Sequence, residues 1–317
     1  MSAVSRTALL PLIRMALKED AASHDVTSRA VIPPTTRIRA KVIAKAPGIA
    51  AGVRYAAWVF AEQDRTLRCR AAVPDGHPVT PGQTLLRIEG NGRSIFAAER
   101  TALNLLGHLS GIATLTAAFV RCTRGTRARI YDTRKTLPGL RLLEKYAVRA
   151  GGGCNHRSDL AEAVLIKTNH LKVLGQGARD RGRGKNKTPI QEAVLRAKQR
   201  NPKRFVEVEV TTLSEFKAAL SAKPDAVHLD NWPLERIRQA VSLVKKLTPR
   251  APCPVPLVVV SGGVTLANVQ AIAKTGVDRI SIGRLTHSAP ALDFSLVIAS
   301  EAKQSQRLLR RKRRSSQ

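Results

Sequence analysis

Ala128-Arg129-Ile130-Tyr131-Asp132-Thr133-Arg134-Lys135-Thr136-Leu137-Pro138-Gly139 joins a run of strand length to a cassette of charge, hydroxyl and glycine. The same join recurs along the chain. Ala163-Val164-Leu165-Ile166 runs into Lys167-Thr168-Asn169-His170, Phe205-Val206 into Glu207-Val208-Glu209, and Ala226-Val227-His228-Leu229 into Asp230-Asn231. Leu257-Val258-Val259-Val260 leads to Ser261-Gly262-Gly263, and Arg279-Ile280-Ser281-Ile282 to Gly283-Arg284. Short, mostly β-branched or aliphatic runs fit strands buried on both faces. Helix-like stretches lie between them: Leu140 to Arg149, Gln191 to Arg200, Leu213 to Ser221, Leu234 to Leu247 and Leu266 to Lys274. Such alternation implies parallel strands with right-handed crossovers, and polar groups at successive strand ends predict a (β/α) barrel rather than a sandwich. An open doubly wound sheet also binds at strand ends, but the early glycine-rich turn that announces it is missing here. Cations and glycines in the cassettes point to a polyanionic ligand.

Residues 1–110 read differently. Thr36 to Ala46 and Thr66 to Ala72 have strand character, with turns at Pro47-Gly48, Pro74-Asp75-Gly76 and Pro81-Gly82, so an α+β domain precedes the barrel of residues 111–290. Glu99 to Ser110 is a helix-like run through Leu103, Leu106 and Leu109 that joins Gly111-Ile112-Ala113-Thr114-Leu115-Thr116 and links the two regions. A final helix over 291–302 is expected to return to the first domain, and 303–317 is expected to be a basic, disordered tail.

With 317 residues and 43% hydrophobic content, the chain can bury a full core. No uninterrupted apolar run approaches the ~20 residues that cross a bilayer. The first 18 residues carry Arg6, Arg14 and Lys18 without an acid, which fits an ordinary first helix better than a targeting one. Cys69, Cys122, Cys154 and Cys253 are scattered with no C-x-x-C pair, arguing against a disulfide framework or structural zinc and fitting a reducing cytoplasm. Cys154 beside His156 reads as a packed thiol rather than a nucleophile. The net charge of +31 concentrates in part in Lys172 to Lys187 and in Arg310-Arg311-Lys312-Arg313-Arg314, both expected to be flexible and solvated. Clustered cations attract phosphate backbones, but 3% aromatic content leaves few stacking platforms, so nucleic-acid binding is expected to be incidental.

Taken together, the cassettes resemble the quinolinate phosphoribosyltransferase family from about Leu17 to Leu296. The resemblance rests on Glu19-Asp20 with Asp25-Val26-Thr27-Ser28, Glu99-Arg100-Thr101-Ala102-Leu103-Asn104 and Ser110-Gly111-Ile112-Ala113-Thr114. It continues through Thr133-Arg134-Lys135-Thr136, Gly151-Gly152-Gly153, Asn155-His156-Arg157, Lys167 with Asn169-His170, Glu207-Val208-Glu209-Val210, Leu229-Asp230-Asn231, Ser261-Gly262-Gly263 and Gly276-Val277-Asp278. The resemblance implies an α/β protein: an N-terminal α/β sandwich domain followed by an incomplete (β/α) barrel. It also implies condensation of quinolinate with phosphoribosyl pyrophosphate to nicotinate mononucleotide, pyrophosphate and CO2, a Mg²⁺ requirement, and a cytoplasmic homodimer or higher even oligomer with shared sites.

Residue chemistry agrees with these implications. Quinolinate carries adjacent carboxylates, and Arg100, Arg134 and Arg157 offer planar forks for them. In a dimer of the family's kind, Arg100 reaches the partner's site. Lys135, Lys167 and His156 add charge and donors, and Thr133 belongs to the same cassette. Glu209 and Asp230 close different strands, and the resemblance places them beside the ribose and its Mg²⁺-bound pyrophosphate, as metal-site candidates. Glu207 shares a face with Glu209 by strand alternation and is read as scaffold. Ser261, Gly262, Gly263, Gly283 and Arg284 suit the 5′-phosphate through unobstructed backbone N–H groups, with His287 secondary. Gly151-Gly152-Gly153 is read as a turn that positions His156 and Arg157.

Two departures stand out. Val259 lies where the family commonly carries Glu, which predicts an altered network at the phosphate end, and the basic stretch after His170 resembles an insertion at the site's mouth. A molybdenum-operon paralogue is the nearest rival, although Tyr146-Ala147-Val148, Asn155-His156-Arg157 and Leu229-Asp230-Asn231 match the quinolinate enzymes better. A nucleic-acid-binding protein on an inactive barrel is the rival from another class.

Overall fold

The structure is a computed structural model that describes residues 4–179, 188–247 and 255–299. The chain divides into one unit of Met1–Thr114 with Pro290–Gln317 and a second of Leu115–Ala289.

The first unit contains α1 (Arg6–Glu19), α2 (Val26–Val31), β1 (Arg37–Ala44), β2 (Gly48–Ile49), α3 (Val53–Gln63), β3 (Arg68–Ala71), β4 (Pro78–Val79), β5 (Thr84–Asn91) and the start of α4 (Gly92–Cys122). Its main sheet is antiparallel, in the order β12-β1-β5-β3, where β12 is Phe294–Ile298. Period-two alternation sends Ala40, Val42 and Ala44 of β1 and Leu86 and Ile88 of β5 into the core, while Arg37, Arg39 and Arg87 are exposed. Leu9, Ile13 and Leu17, spaced by four, are the buried stripe of α1, and Ser5 caps that helix by accepting from the Ala8 amide at 3.2 Å.

One sequence expectation fails here. The expected final helix over 291–302 is strand β12 where described, pairing antiparallel with β1 from Ala40↔Ile298 to Ala44↔Phe294. The vacant edge of β1 and the β-branched pair Val297-Ile298 outweigh the helical spacing. Residues 303–317, expected to be a tail, lie outside the described residues. The helix-like run read from Glu99 to Ser110 lies within α4, which runs unbroken for 31 residues.

Among the described residues α4 alone is long and apolar enough to span a bilayer. It nonetheless carries Glu99 and Arg100 and buries Ile95, Leu103, Leu106 and Leu109, the pattern of a core helix. Gly107 and Gly111, one turn apart, let the returning segment lie directly on this helix. The Leu292 amide donates to the Gly107 carbonyl at 3.0 Å, and a Cβ at residue 111 would stand 2.1 Å from the Pro290 carbonyl oxygen. Gly111→Ala is therefore expected to cost about 1–3 kcal/mol through overpacking, read as a lowered midpoint in urea unfolding.

The second unit alternates β6 (Arg129–Tyr131), α5 (Arg141–Ala150), β7 (Val164–Ile166), α6 (Thr168–Arg179), α7 (Pro189–Arg200), β8 (Val206–Val210), α8 (Leu213–Ala222), β9 (Ala226–Asp230), α9 (Leu234–Leu247), β10 (Leu257–Ser261), α10 (Val269–Lys274), β11 (Arg279–Ser281) and α11 (Arg284–His287). Its strands form one parallel sheet in the order β6-β11-β10-β9-β8-β7. Four strand spacings would hold β6 and β8 about 19 Å apart in a flat sheet. Yet His156, beside β6 through the Tyr131–Cys154 bridge, reaches Glu207 on β8 at 2.9 Å. The sheet therefore curls around its polar face. Its end strands β6 and β7 do not pair among the described residues, which makes the barrel incomplete.

Val206, Val208, Val210, Val227, Leu229, Val258 and Val260 fill the layer beneath the helices. Glu207 and Glu209, His228 and Asp230, and Val259 and Ser261 alternate onto the opposite, inner face. Thr188 with Gln191 and Thr212 with Glu215 form capping boxes that start α7 and α8. The stretch from Lys172, expected to be flexible, continues α6 to Arg179 with Leu171 buried at its start. Residues 180–187 lie outside the described residues, as does Cys253.

Candidate active site

The carboxyl ends of the parallel strands surround a cavity of about 890 Å³. Thr133, Arg134 and Lys135 enter it after β6, His156 and Arg157 after α5, and Lys167 after β7. Glu209 enters from β8, Asp230 from the end of β9, Ser261, Gly262 and Gly263 from the end of β10, and Gly283, Arg284 and His287 from the end of β11 onward. Arg100 is the exception: it belongs to the first unit, is exposed on α4 and does not line the cavity.

A buried ion pair fixes the cationic side. Lys145 Nζ donates to Asp132 Oδ1 at 2.6 Å, with the two side chains 2% and 0% exposed. Burial pushes the Asp132 carboxyl up and the Lys145 ammonium down, each opposed by the other's charge. The pair is completed by its neighbours: Asn155 Nδ2 donates to Asp132 Oδ2 at 2.6 Å, the His156 amide to Oδ1 at 2.8 Å, and Lys145 Nζ to the His156 carbonyl at 2.9 Å. These bonds tie the turn after Gly151-Gly152-Gly153 to the end of β6, as the reading of that turn expected, and so aim His156 and Arg157 into the cavity.

Arg134 Nε and Arg157 Nε are both buried without a hydrogen-bond partner. Burial, and next the nearby Arg134 charge, hold the Arg157 guanidinium below its ordinary pKa. Each guanidinium keeps a buried Nε donor idle, although Arg157 Nη1 donates to the Ala163 carbonyl at 2.9 Å, and such a pair of cations has the chemistry to receive an anion.

The opposite side is acidic and small. Glu209 Oε1 accepts from Thr168 Oγ1 at 2.6 Å, and Asp230 Oδ1 accepts from Ser261 Oγ at 3.0 Å. Gly262 has φ +83°, and a Cβ there would lie 2.1 Å from Asn231 Oδ1, so the turn admits only glycine beside Asn231. At Gly283 a Cβ would stand 2.9 Å from Lys135 Cδ, which lets the lysine stem lie across the backbone.

Glu207 lies beneath this wall, 1% exposed. His156 Nε2 meets Glu207 Oε2 at 2.9 Å, and His228 Nδ1 meets Oε1 at 2.5 Å. Burial would raise its carboxyl, but the hydrogen bonds and charges of His156 and His228 outweigh that and hold it well below the usual carboxylate range.

Several cavity residues were not among the sequence candidates: Asp132, His228, Asn231, Thr265, Ser281 and Ser288. Asp132 and Asn231 stood in the quoted cassettes, and position was the available signal. His228 sits within an apolar run, where strand alternation with Asp230 was the only clue. Val259 is fully buried and registers with His228 and Arg279 on its two neighbouring strands. Ser261 nevertheless has two polar partners, because His228 Nε2 lies 2.6 Å from its Oγ.

Comparison with known proteins agrees with this geometry. Residues 25–110 match the model for the quinolinate phosphoribosyl transferase N-terminal domain, and residues 112–297 match that for its C-terminal domain. The carboxylating nicotinate-nucleotide pyrophosphorylase of Mycobacterium leprae is 40% identical over 287 residues, 90% of this chain and 95% of the relative. The decarboxylating quinolinate phosphoribosyltransferase 1 of Nicotiana glauca is 37% identical over 307 residues, 92% of this chain and 82% of the relative. The solved nicotinate-nucleotide pyrophosphorylase of Francisella tularensis superposes with a TM-score of 0.82 at 36% identity, covering 94% of this chain and 98% of that one.

Proposed function

The chain belongs to the quinolinate phosphoribosyltransferase family, and we propose that its strand-end cavity is where the family's two substrates are joined. The enzyme is a pentosyltransferase of NAD biosynthesis that converts quinolinate and phosphoribosyl pyrophosphate to nicotinate mononucleotide, pyrophosphate and CO2. The molybdenum-operon and inactive-barrel readings gain no support from its relatives. The observation that carries the placement is polarity within one cavity: idle, buried guanidinium donors on one side, and two carboxylates beside a Ser-Gly-Gly turn on the other.

The two anionic carboxylates of quinolinate fit Arg134 and Arg157, with His156 beside them and Lys135 and Lys167 supplying charge. The 5′-phosphate fits the backbone of Ser261-Gly262-Gly263 and Gly283-Arg284, with His287 adjoining. As pyrophosphate departs, positive charge builds on the ribose carbon, and Glu209 and Asp230 stabilise it while the lysines stabilise the leaving anion. The pyridine nitrogen forms the new bond to that carbon and becomes cationic. The 2-carboxylate then leaves as CO2, its bonding electron pair remaining on the ring carbon beside the cationic nitrogen until a proton replaces it. No step requires an enzyme nucleophile.

Glu209 and Asp230 would hold Mg²⁺ together with the donor's phosphates. Among the described residues no cluster of three or more His, Cys, Asp and Glu could hold a metal by itself, and this donor set suits an ion that shares its coordination with a bound phosphate. When bound, the ion would neutralise pyrophosphate charge. Chelation with excess EDTA is expected to abolish turnover, and added Mg²⁺ to restore it; full turnover in EDTA would exclude the requirement.

We read the enzyme as a cytoplasmic homodimer, consistent with free Cys69, Cys122 and Cys154, with exposed Arg100 of one protomer reaching the cavity of the other.

A further inference from the structure

Among the described residues, Glu207 is the one buried carboxylate beneath the cavity whose two oxygens serve different rings. The ring on Oε2, His156, belongs to the segment that carries Arg157, the half assigned to quinolinate. The ring on Oε1, His228, continues through Nε2 to Ser261 Oγ at 2.6 Å, and Ser261 donates to Asp230 Oδ1 at 3.0 Å, in the half assigned to the ribose phosphate. Glu207 itself does not line the cavity, whereas both rings do.

We propose that Glu207 is a positioning residue that fixes both halves of the site at once, with His228 as the arm through which it acts on Ser261 and Asp230. The inference rests on the substrate placement given above. Its physical basis is geometric. Strands β8 and β9 hold the two backbones in fixed register, so a carboxylate bonded at both oxygens cannot turn without releasing one ring. An imidazole carries its hydrogen bonds on a rigid ring, so anchoring Nδ1 of His228 also sets where Nε2 meets Ser261. Neither half needs direct contact with Glu207 to be oriented by it.

Glu207→Gln removes the charge that both rings share while keeping the side chain's size. Steady-state kinetics should show KM rising about tenfold for quinolinate and for phosphoribosyl pyrophosphate alike, the effect of one weakened buried hydrogen bond at each end. His228→Leu should raise KM for phosphoribosyl pyrophosphate to a similar degree and leave that for quinolinate within about twofold. The same variants have a readout independent of turnover. Imidazole N–H protons bonded to a buried carboxylate resonate far downfield in proton NMR; two are expected in the wild type, none in Glu207→Gln and one in His228→Leu. A Glu207→Gln enzyme that changes KM for one substrate only, or a spectrum in which His228→Leu removes neither or both resonances, would overturn the proposal. A wild-type protein that turned over neither substrate would contradict the substrate placement, while the NMR comparison would still decide whether one carboxylate holds two rings.

Discussion

Lys145→Met is expected to destabilise the folded protein by about 3–5 kcal/mol, because it leaves the fully buried Asp132 carboxylate without its counter-ion. Denaturant unfolding reads this directly. The effect extends to the site, since the same ammonium also donates to the His156 carbonyl. The double replacement Asp132→Leu with Lys145→Met removes the uncompensated charge, and should recover much of the lost stability. It should not recover turnover, because Asn155 Nδ2 and the His156 amide lose the acceptor that holds them. A Lys145→Met protein within about 1 kcal/mol of wild type would mean that this pair does not organise the cationic side.

Arg134→Ala is expected to lower kcat/KM for quinolinate by about a hundredfold to a thousandfold, the scale seen when one oriented donor is removed from a water-poor site. Most of the loss should lie in quinolinate KM if the fork binds ground state and transition state alike. Arg134→Lys should rescue little, because an ammonium cannot reproduce the bidentate geometry. Lys135→Ala should act differently, lowering kcat through the departing pyrophosphate with a smaller change in quinolinate KM. Retained turnover in both alanine variants would refute the placement of quinolinate beside the idle Nε donors of Arg134 and Arg157.

The barrel half was legible because each strand changes character abruptly at its carboxyl end. Leu257 to Ser261 turns polar where the cavity begins, and Val206 to Val210 alternates helix-facing valines with Glu207 and Glu209 on the inner face, so strand and site share one signal. The residues that hold the site together were less legible. Lys145 sits within an amphipathic helix, where a charge thirteen positions from Asp132 looks like an ordinary surface lysine until the fold buries both. His228 lies inside Ala226-Val227-His228-Leu229, and only its alternation with Asp230 marks it as a cavity histidine rather than a core one. In the first unit, the helical reading of strand β12 fails because its partner β1 lies at least 250 residues earlier (Ala44↔Phe294), and only that pairing settles the conformation. Strand β5 escaped notice for a related reason. Its Leu85-Leu86 pair interrupts alternation, and its place between β1 and β3 is a tertiary property. Helix α4 extends beyond the run from Glu99 to Ser110 on both sides, and Gly107 and Gly111 within it are contact points for the returning chain.

The most direct test is formation of nicotinate mononucleotide by the purified, folded protein supplied with phosphoribosyl pyrophosphate, Mg²⁺ and either quinolinate or nicotinate. Two cationic forks require two carboxylates, so product is expected from quinolinate, with one CO2 released per nucleotide formed, and essentially none from nicotinate. Equal product from nicotinate, or none from quinolinate, would contradict the assignment of Arg134 and Arg157 to a dicarboxylate.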